Sequence, residues 1–266
     1  MMAAAEAKEQ YSAILLGATG NVGGRIAQLL IKNPLCKKLV VVTRRKTHAF
    51  ADPKISELGV NMDRLEEEVA SHVQEIDVAL ATFGVGKGSA KMPEQEVRKL
   101  EISYPQVFCR AAKAAGARVC GVMTAVGANP DAGKKYAKII GEKEKAVESV
   151  RFDFLGIYRP AVILGNSNTP VALGYVMPLL NWAMPSKYHS IHKNDLARAM
   201  VAQSEQAFLA IAQGNAPKEA TVKILEYKEM ELFFVKGESG EPSQPLGSTL
   251  FKLLSNCMDY FMVLSS

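Results

Sequence analysis

From residue 12 onward, short apolar runs alternate with longer stretches in which apolar residues recur every three or four positions. The short runs, at 12–16, 38–43, 59–62, 77–81, 117–123 and 152–158, predict strands, and the longer ones, at 21–33, 64–74, 93–115 and 134–150, predict helices. This alternation predicts an α/β fold, a doubly wound parallel sheet built from strand–helix–strand units. The helix that follows Pro93 is expected to stop at Gly116, a residue suited to the left-handed turn that closes helices. Residues 43–59 carry no long helical pattern, so the second crossover reads as a loop.

After Arg159-Pro160 the rhythm changes. Pro160, Gly165, Pro170, Gly174, Pro178 and Pro185 break the chain into short pieces, which suits a small cap completing a pocket over the sheet. A helix is expected at 194–212, with Asp195 in its first turn, then a last strand at 222–226 and a short helix at 228–235. Residues 236–247 hold Gly, Ser, Glu and Pro and read as a linker. Apolar spacing returns at 248–264 (Leu250, Leu253, Leu254, Met258, Phe261), a tail helix for docking on the domain or for a membrane or partner contact. The expected organisation is a dinucleotide-binding Rossmann domain over 1–235, with cap segments from about residue 160, followed by linker and tail over 236–266.

Gly17-Ala18-Thr19-Gly20-Asn21-Val22-Gly23-Gly24 follows the first strand and opens the first helix. In that setting Gly17 permits a tight turn, Gly20 lets the backbone approach a diphosphate, and Gly23 lets the helix pack closely on the strand. The helix start then offers free N–H groups and the positive end of its dipole to the phosphates. The end of the second strand selects the dinucleotide. NAD sites usually place a carboxylate there for the ribose hydroxyls. Here Thr43-Arg44-Arg45-Lys46 stand instead, and Arg44 and Arg45 suit the 2′-phosphate of NADP(H), which arginine grips with paired charged hydrogen bonds. His48 is a minor addition to that pocket. Asp63, after the third strand, is expected to face the adenine, and Thr82, Phe83 and Gly84, after the fourth, to pass beside ribose and diphosphate.

These residues belong to a longer series of landmarks: Thr43-Arg44-Arg45, Leu100-Glu101-Ile102-Ser103-Tyr104-Pro105, Gly127-Ala128-Asn129-Pro130, Tyr136, Gly141-Glu142, Arg159-Pro160 and Ile163-Leu164-Gly165. In order and spacing, from about residue 12 to 234, the chain resembles the HIV Tat-interactive-protein-like branch of the atypical short-chain dehydrogenases. The resemblance implies an extended Rossmann fold that binds NADP(H). It also implies a Ser, a Tyr and a Lys four residues after the Tyr. Such a lysine lies one helical turn from the phenol, lowers its pKa and holds the nicotinamide ribose. Tyr136 keeps the tyrosine position, but its i+4 partner is Ile140, and Thr124-Ala125 stand where the serine pair belongs. Thr124 is the remaining hydroxyl candidate. Lys138 points to the other side of the helix, and Lys143 shares Tyr136's side two turns on, about 10 Å along the axis.

Composition narrows the options. Net charge is +5, with both signs mixed at 64–68 and 142–148, which suits a small anionic ligand and argues against nucleic acid. Four cysteines show no zinc spacing, and His189 and His192 have no third ligand nearby, so no metal site is expected. No run of about 18 apolar residues predicts a transmembrane helix. The N-terminal residues lack a secretory pattern, so an intracellular, cytoplasmic protein is expected. Two functions fit. One is an NADP(H)-dependent oxidoreductase that passes hydride to a flavin- or quinone-type acceptor, its small-molecule substrate unassigned. The other is a catalytically silent NADP(H)-binding protein that presents its cap or tail to a protein partner.

Overall fold

The computed structural model describes residues 10–234, except 48, 86–91, 167–168, 170–175 and 178–179. The linker and tail expected over 236–266, together with Pro170, Gly174, Pro178 and His48, lie outside the described residues. In chain order the main elements are β1 (Tyr11–Leu16), α1 (Asn21–Lys32), β2 (Cys36–Thr43), β3 (Ile55–Gly59), α2 (Leu65–His72) and β4 (Val78–Ala81). Then come α3 (Glu94–Arg98), α4 (Tyr104–Ala114), β5 (Val119–Met123), α5 (Lys135–Glu148) and β6 (Phe154–Tyr158). The cap contributes β7 (Ile163–Leu164) and β8 (Ile191–His192), followed by α6 (Lys193–Ala212), β9 (Thr221–Leu225) and α7 (Tyr227–Glu231).

β1 is buried at all six positions because both faces of the sheet are covered. Successive strand side chains point to opposite faces, and each face has its own core. Tyr11, Ala13 and Leu15 pack with Ile26 and Leu30 of α1 and with Leu196 and Met200 of α6. Ile14 and Leu16 pack with Leu65 and Val69 of α2 and with Phe108 and Ala112 of α4. Seven strands run in the order β3-β2-β1-β4-β5-β6-β9, every neighbouring pair parallel. The chain winds outward from β1 in both directions, so the crevice at the carboxyl ends of β1 and β4 is the switch point where such sheets bind ligands. This is the doubly wound Rossmann architecture expected.

Three local expectations are corrected. The third strand spans Ile55–Gly59 rather than 59–62. Val60 and Met62 are buried and imitate a strand, but the chain has by then left the ladder for a single tight turn, Met62–Arg64, whose Asp63 N–H is accepted by the Asn61 side chain. The helix expected over 93–115 is divided. A widened π turn at Lys99–Ser103 separates α3 from α4. Pro105 has no N–H for the carbonyl of Glu101, four residues back, and its ring crowds that carbonyl; the wide turn takes up the misfit. The cap also holds an unanticipated two-stranded parallel sheet, β7 with β8. Among the described residues, no helix is long and apolar enough to cross a membrane.

The two largest fully buried side chains, Tyr11 and Tyr158, hold their phenols well above the ordinary value of 10.0, chiefly through burial. A folded pKa above the unfolded one gives stability that is complete below pH 10 and is lost as pH rises beyond it. Urea unfolding measured across alkaline pH should therefore show stability falling above pH 10, and Tyr11→Phe should flatten that fall. Equal slopes for the two proteins would refute the assignment.

Candidate dinucleotide and catalytic site

The loop between β1 and α1 is a compact turn. Gly17 sits at φ +96°, and its carbonyl accepts the Gly20 N–H at 2.9 Å. A Cβ on Gly23 would lie 2.1 Å from the Gly17 oxygen and 2.6 Å from Thr82 Oγ1. Thr82 N–H donates to the Leu16 carbonyl at 3.0 Å, so the end of β4 is tied to the end of β1 against this turn. No side chain caps α1 at Gly20, and its first turn holds no acid. Ala18 and Val22 are buried beneath the loop, whereas Thr19 and Gly20 are exposed on it. The backbone thus makes a glycine-lined cradle at the positive end of a helix, a shape and charge that fit a diphosphate.

At the end of β2, Thr43 is buried and Arg44, Arg45 and Lys46 are exposed. A carboxylate that the sequence pattern did not place here is Glu57 of β3. It accepts the Thr47 N–H at 2.7 Å and the Thr47 hydroxyl at 2.8 Å, with Thr43 Oγ1 at 3.4 Å. Glu57 therefore folds the basic loop back over the strand ends. Asp63 belongs to the tight turn beyond β3 and is exposed; its carboxylate accepts from Lys99 at 2.6 Å and from the Tyr104 hydroxyl at 2.9 Å. Lys99 holds the Asp63 carboxyl below its ordinary range. Tyr104 in turn packs edge-on against Phe83 at 6.3 Å between ring centroids.

On the far side of the switch point, Tyr136 is half-buried in the first turn of α5. Burial, then the negative charge of Glu101, pushes its phenol well above the ordinary value. Ile140, in the usual lysine position, is buried in the core. Lys143 is buried too. Its ammonium donates to Glu101 Oε2 at 3.2 Å and to the Phe83 carbonyl at 3.1 Å. Thr124, just past β5, has its hydroxyl 2.7 Å from Glu144 Oε1 and 3.2 Å from the Tyr158 carbonyl. Glu144 also accepts Arg159 Nε at 2.9 Å and Nη2. The hydroxyl hydrogen of Thr124 is thus directed at a carboxylate that already neutralises Arg159. His189 and His192 sit in the cap, His189 edge-on to Tyr227 and His192 capping α6.

The structure brings Gly17–Gly23, Thr82, Phe83 and Gly84 together at the switch point. It sets Thr43, Arg44 and Arg45 at the β2 side and Tyr136 and Thr124 at the β5 side. Glu57 and Glu101 are the additions, and Lys143, two turns from Tyr136 on α5, proves to be the partner of Glu101. Glu101 and Lys143 are joined across 42 residues of sequence, and Glu57 reaches Thr47 and Thr43 from the neighbouring strand, pairings that helical or strand spacing does not signal.

No family model matches the chain. A protein of Candida albicans named "Protein FMP52, mitochondrial" is 30% identical over 171 residues, covering 61% of this chain and 72% of that protein. The chain belongs to the FMP52 family. The expectation of a cytoplasmic protein is overturned by that name, since the relatives of the family are named mitochondrial. Among solved structures, Pen from Bacillus thuringiensis superposes with a TM-score of 0.58 at 15% identity, covering 84% of this chain and 78% of that one. The enzyme WbmH of Bordetella bronchiseptica, solved in complex with NAD+, gives 0.57 at 16%, covering 81% and 86%. At these identities the likeness is one of fold, the Rossmann fold of the seven-stranded sheet.

Proposed function

We propose that this FMP52 family member is a mitochondrial oxidoreductase that binds a nicotinamide dinucleotide, with preference for NADP(H), across the switch point. The observation that carries the reading is the Gly17–Gly23 cradle, in which any added Cβ at Gly23 meets backbone. The NAD+ held by the WbmH protein and the resemblance to the HIV Tat-interactive-protein-like dehydrogenases support it. Gly17 to Val22 and Gly23 hold the diphosphate, Thr43, Arg44 and Arg45 the adenosine ribose with its 2′-phosphate, and Thr82 to Gly84 flank the nicotinamide half. Asp63 acts at the adenine side, held there by Lys99 and the Tyr104 hydroxyl. The bound dinucleotide supplies hydride.

The chain's own residues constrain what receives it. Burial and the charge of Glu101 favour the protonated form of Tyr136, and Ile140 offers no cation to oppose them. Its phenol suits donating a hydrogen bond to an acceptor rather than serving as the phenolate base that alcohol oxidation needs. Thr124 can accept a hydrogen bond while its own hydrogen is held by Glu144. This favours a flavin- or quinone-type acceptor, whose reduction needs one proton beside the hydride and can draw it from solvent, with orientation supplying much of the rate.

The test is a titration with NADPH and, separately, NADH, followed by nicotinamide fluorescence. NADPH should bind at least about tenfold more tightly, a difference of about 1.4 kcal/mol. The double change Arg44→Ala, Arg45→Ala should erase that preference while leaving NADH binding in place. Binding of neither nucleotide by the unaltered protein would sink the whole reading. Equal binding of both would remove the NADP(H) preference alone.

A further inference from the structure

The loop Phe83-Gly84-Val85 leaves β4 on the nicotinamide side of the switch point, opposite the basic loop of β2. It is gripped from beneath by one buried ion pair. Glu101 Oε1 accepts the Val85 N–H at 2.7 Å, and Lys143 donates to the Phe83 carbonyl at 3.1 Å. The two charges meet each other at 3.2 Å, with side chains only 2% and 3% exposed. Gly84 lies between the two gripped residues. A Cβ there would stand 3.0 Å from Glu101 Oε2, so the carboxylate lies directly against its backbone. Gly84 itself is exposed, so the loop's other side is open at the carboxyl edge of the sheet.

A buried ion pair is a poor device for stability alone, because desolvation of both charges offsets much of their attraction. This pair also spends its hydrogen bonds on backbone groups of a loop rather than on further charges. Its two members come from separate elements. Glu101 is set inward by the π turn that Pro105 forces, and such turns recur at functional sites. Lys143 comes from α5, the helix that carries Tyr136.

We propose that Glu101 and Lys143 are positioning residues that hold Phe83-Gly84-Val85 as a rigid wall against the nicotinamide half of the dinucleotide, in place of the direct lysine grip that Ile140 removes. The pair acts through the loop and not through contact with the reacting atoms. This inference rests on the dinucleotide reading above. It predicts that losing the pair weakens what lies beside β4 and spares what lies over β1 and β2.

The experiment compares NADPH with ADP, which reaches the glycine loop and the adenosine pocket but has no nicotinamide half. Unaltered protein should bind both. Lys143→Met strands the carboxylate and is liable to unfold, so Glu101→Gln with Lys143→Met, close in shape and uncharged, is the main variant. Once circular dichroism has established its fold, it should bind NADPH about tenfold or more weakly while its ADP affinity stays within about twofold. An unchanged NADPH affinity overturns the proposal. So does an equal loss for both nucleotides, which would mark a merely structural pair. Unaltered protein that binds neither nucleotide overturns the dinucleotide reading and takes this inference with it, a result readily told apart from a failure confined to the variant.

Discussion

Gly23→Ala should cost at least about 100-fold in NADPH affinity, or about 3 kcal/mol. A methyl group at this position would stand 2.1 Å from the Gly17 oxygen, 2.6 Å from the Gly17 carbonyl carbon and 2.6 Å from Thr82 Oγ1. The first two are backbone atoms that no rotamer change can move. Relief requires α1 to draw away from the turn by about 1 Å, since interiors are packed too closely to absorb the misfit. That movement separates the first N–H groups of α1 from the Gly17–Gly20 turn, and the diphosphate loses its convergent donors. It also frees Thr82 from its packing between Gly17 and Gly23. Overpacking of this kind costs about 1–3 kcal/mol of fold stability, within what a domain of this size withstands. The variant should thus remain folded by circular dichroism while losing both NADPH and ADP in titration. Retained ADP binding would mean that the glycine loop is not the diphosphate site.

The pattern of apolar positions anticipated the sheet well because β1, β2, β4, β5 and β6 are buried on both faces, which leaves little choice but strand between helices. The glycine loop was legible for a related reason: its constraints are local, and Gly17, Gly20 and Gly23 each answer a contact within six residues of sequence or with the neighbouring strand. The pattern misplaces β3 because it is an edge strand, only partly buried, and the deeper burial of Val60 and Met62 beyond it gives a stronger apolar signal than the strand itself. The π turn was visible only as Pro105, a residue equally at home in a helix's first turn.

The charged parts of the site were the least legible. Along its own helix Lys143 stands two turns from Tyr136, too far to serve it. What matters is Glu101, 42 residues earlier in the chain, packed across from it. Glu57 was hidden for a similar reason. The second strand has no carboxylate at its end, but the third strand lies beside it in parallel register, Val41 opposite Glu57, and the carboxylate reaches back to Thr43 and Thr47. In both cases the sheet, not the local sequence, decides the neighbour.

Gly141→Ala should be the most destabilising single-methyl addition outside the glycine loop, about 3 kcal/mol. For a domain of this length that corresponds to a fall of about 6–12 °C in melting temperature. A Cβ on Gly141 would lie 2.2 Å from Pro130 N, 2.3 Å from the Asn129 carbonyl carbon and 2.6 Å from Pro130 Cδ. The obstacle is again backbone, held in place by the Asn129 N–H donating to the Ala137 carbonyl at 3.1 Å and by the Asn129 side chain accepting the Asp131 N–H at 3.0 Å. Two landmarks that stand apart in the sequence, Asn129-Pro130 and Gly141-Glu142, are therefore the two halves of one contact that seats α5. Tyr136 lies five residues before that contact and Lys143 two after it, so lifting α5 displaces the phenol and loosens the grip on the β4 loop together. The glycine loop lies beyond the reach of this change. Protein that stays folded should bind ADP as before while both NADPH affinity and any acceptor reduction decline. A melting temperature within about 2 °C of the unaltered protein would show that α5 is not seated through Gly141, and the shared placement of Tyr136 and Lys143 would need another cause.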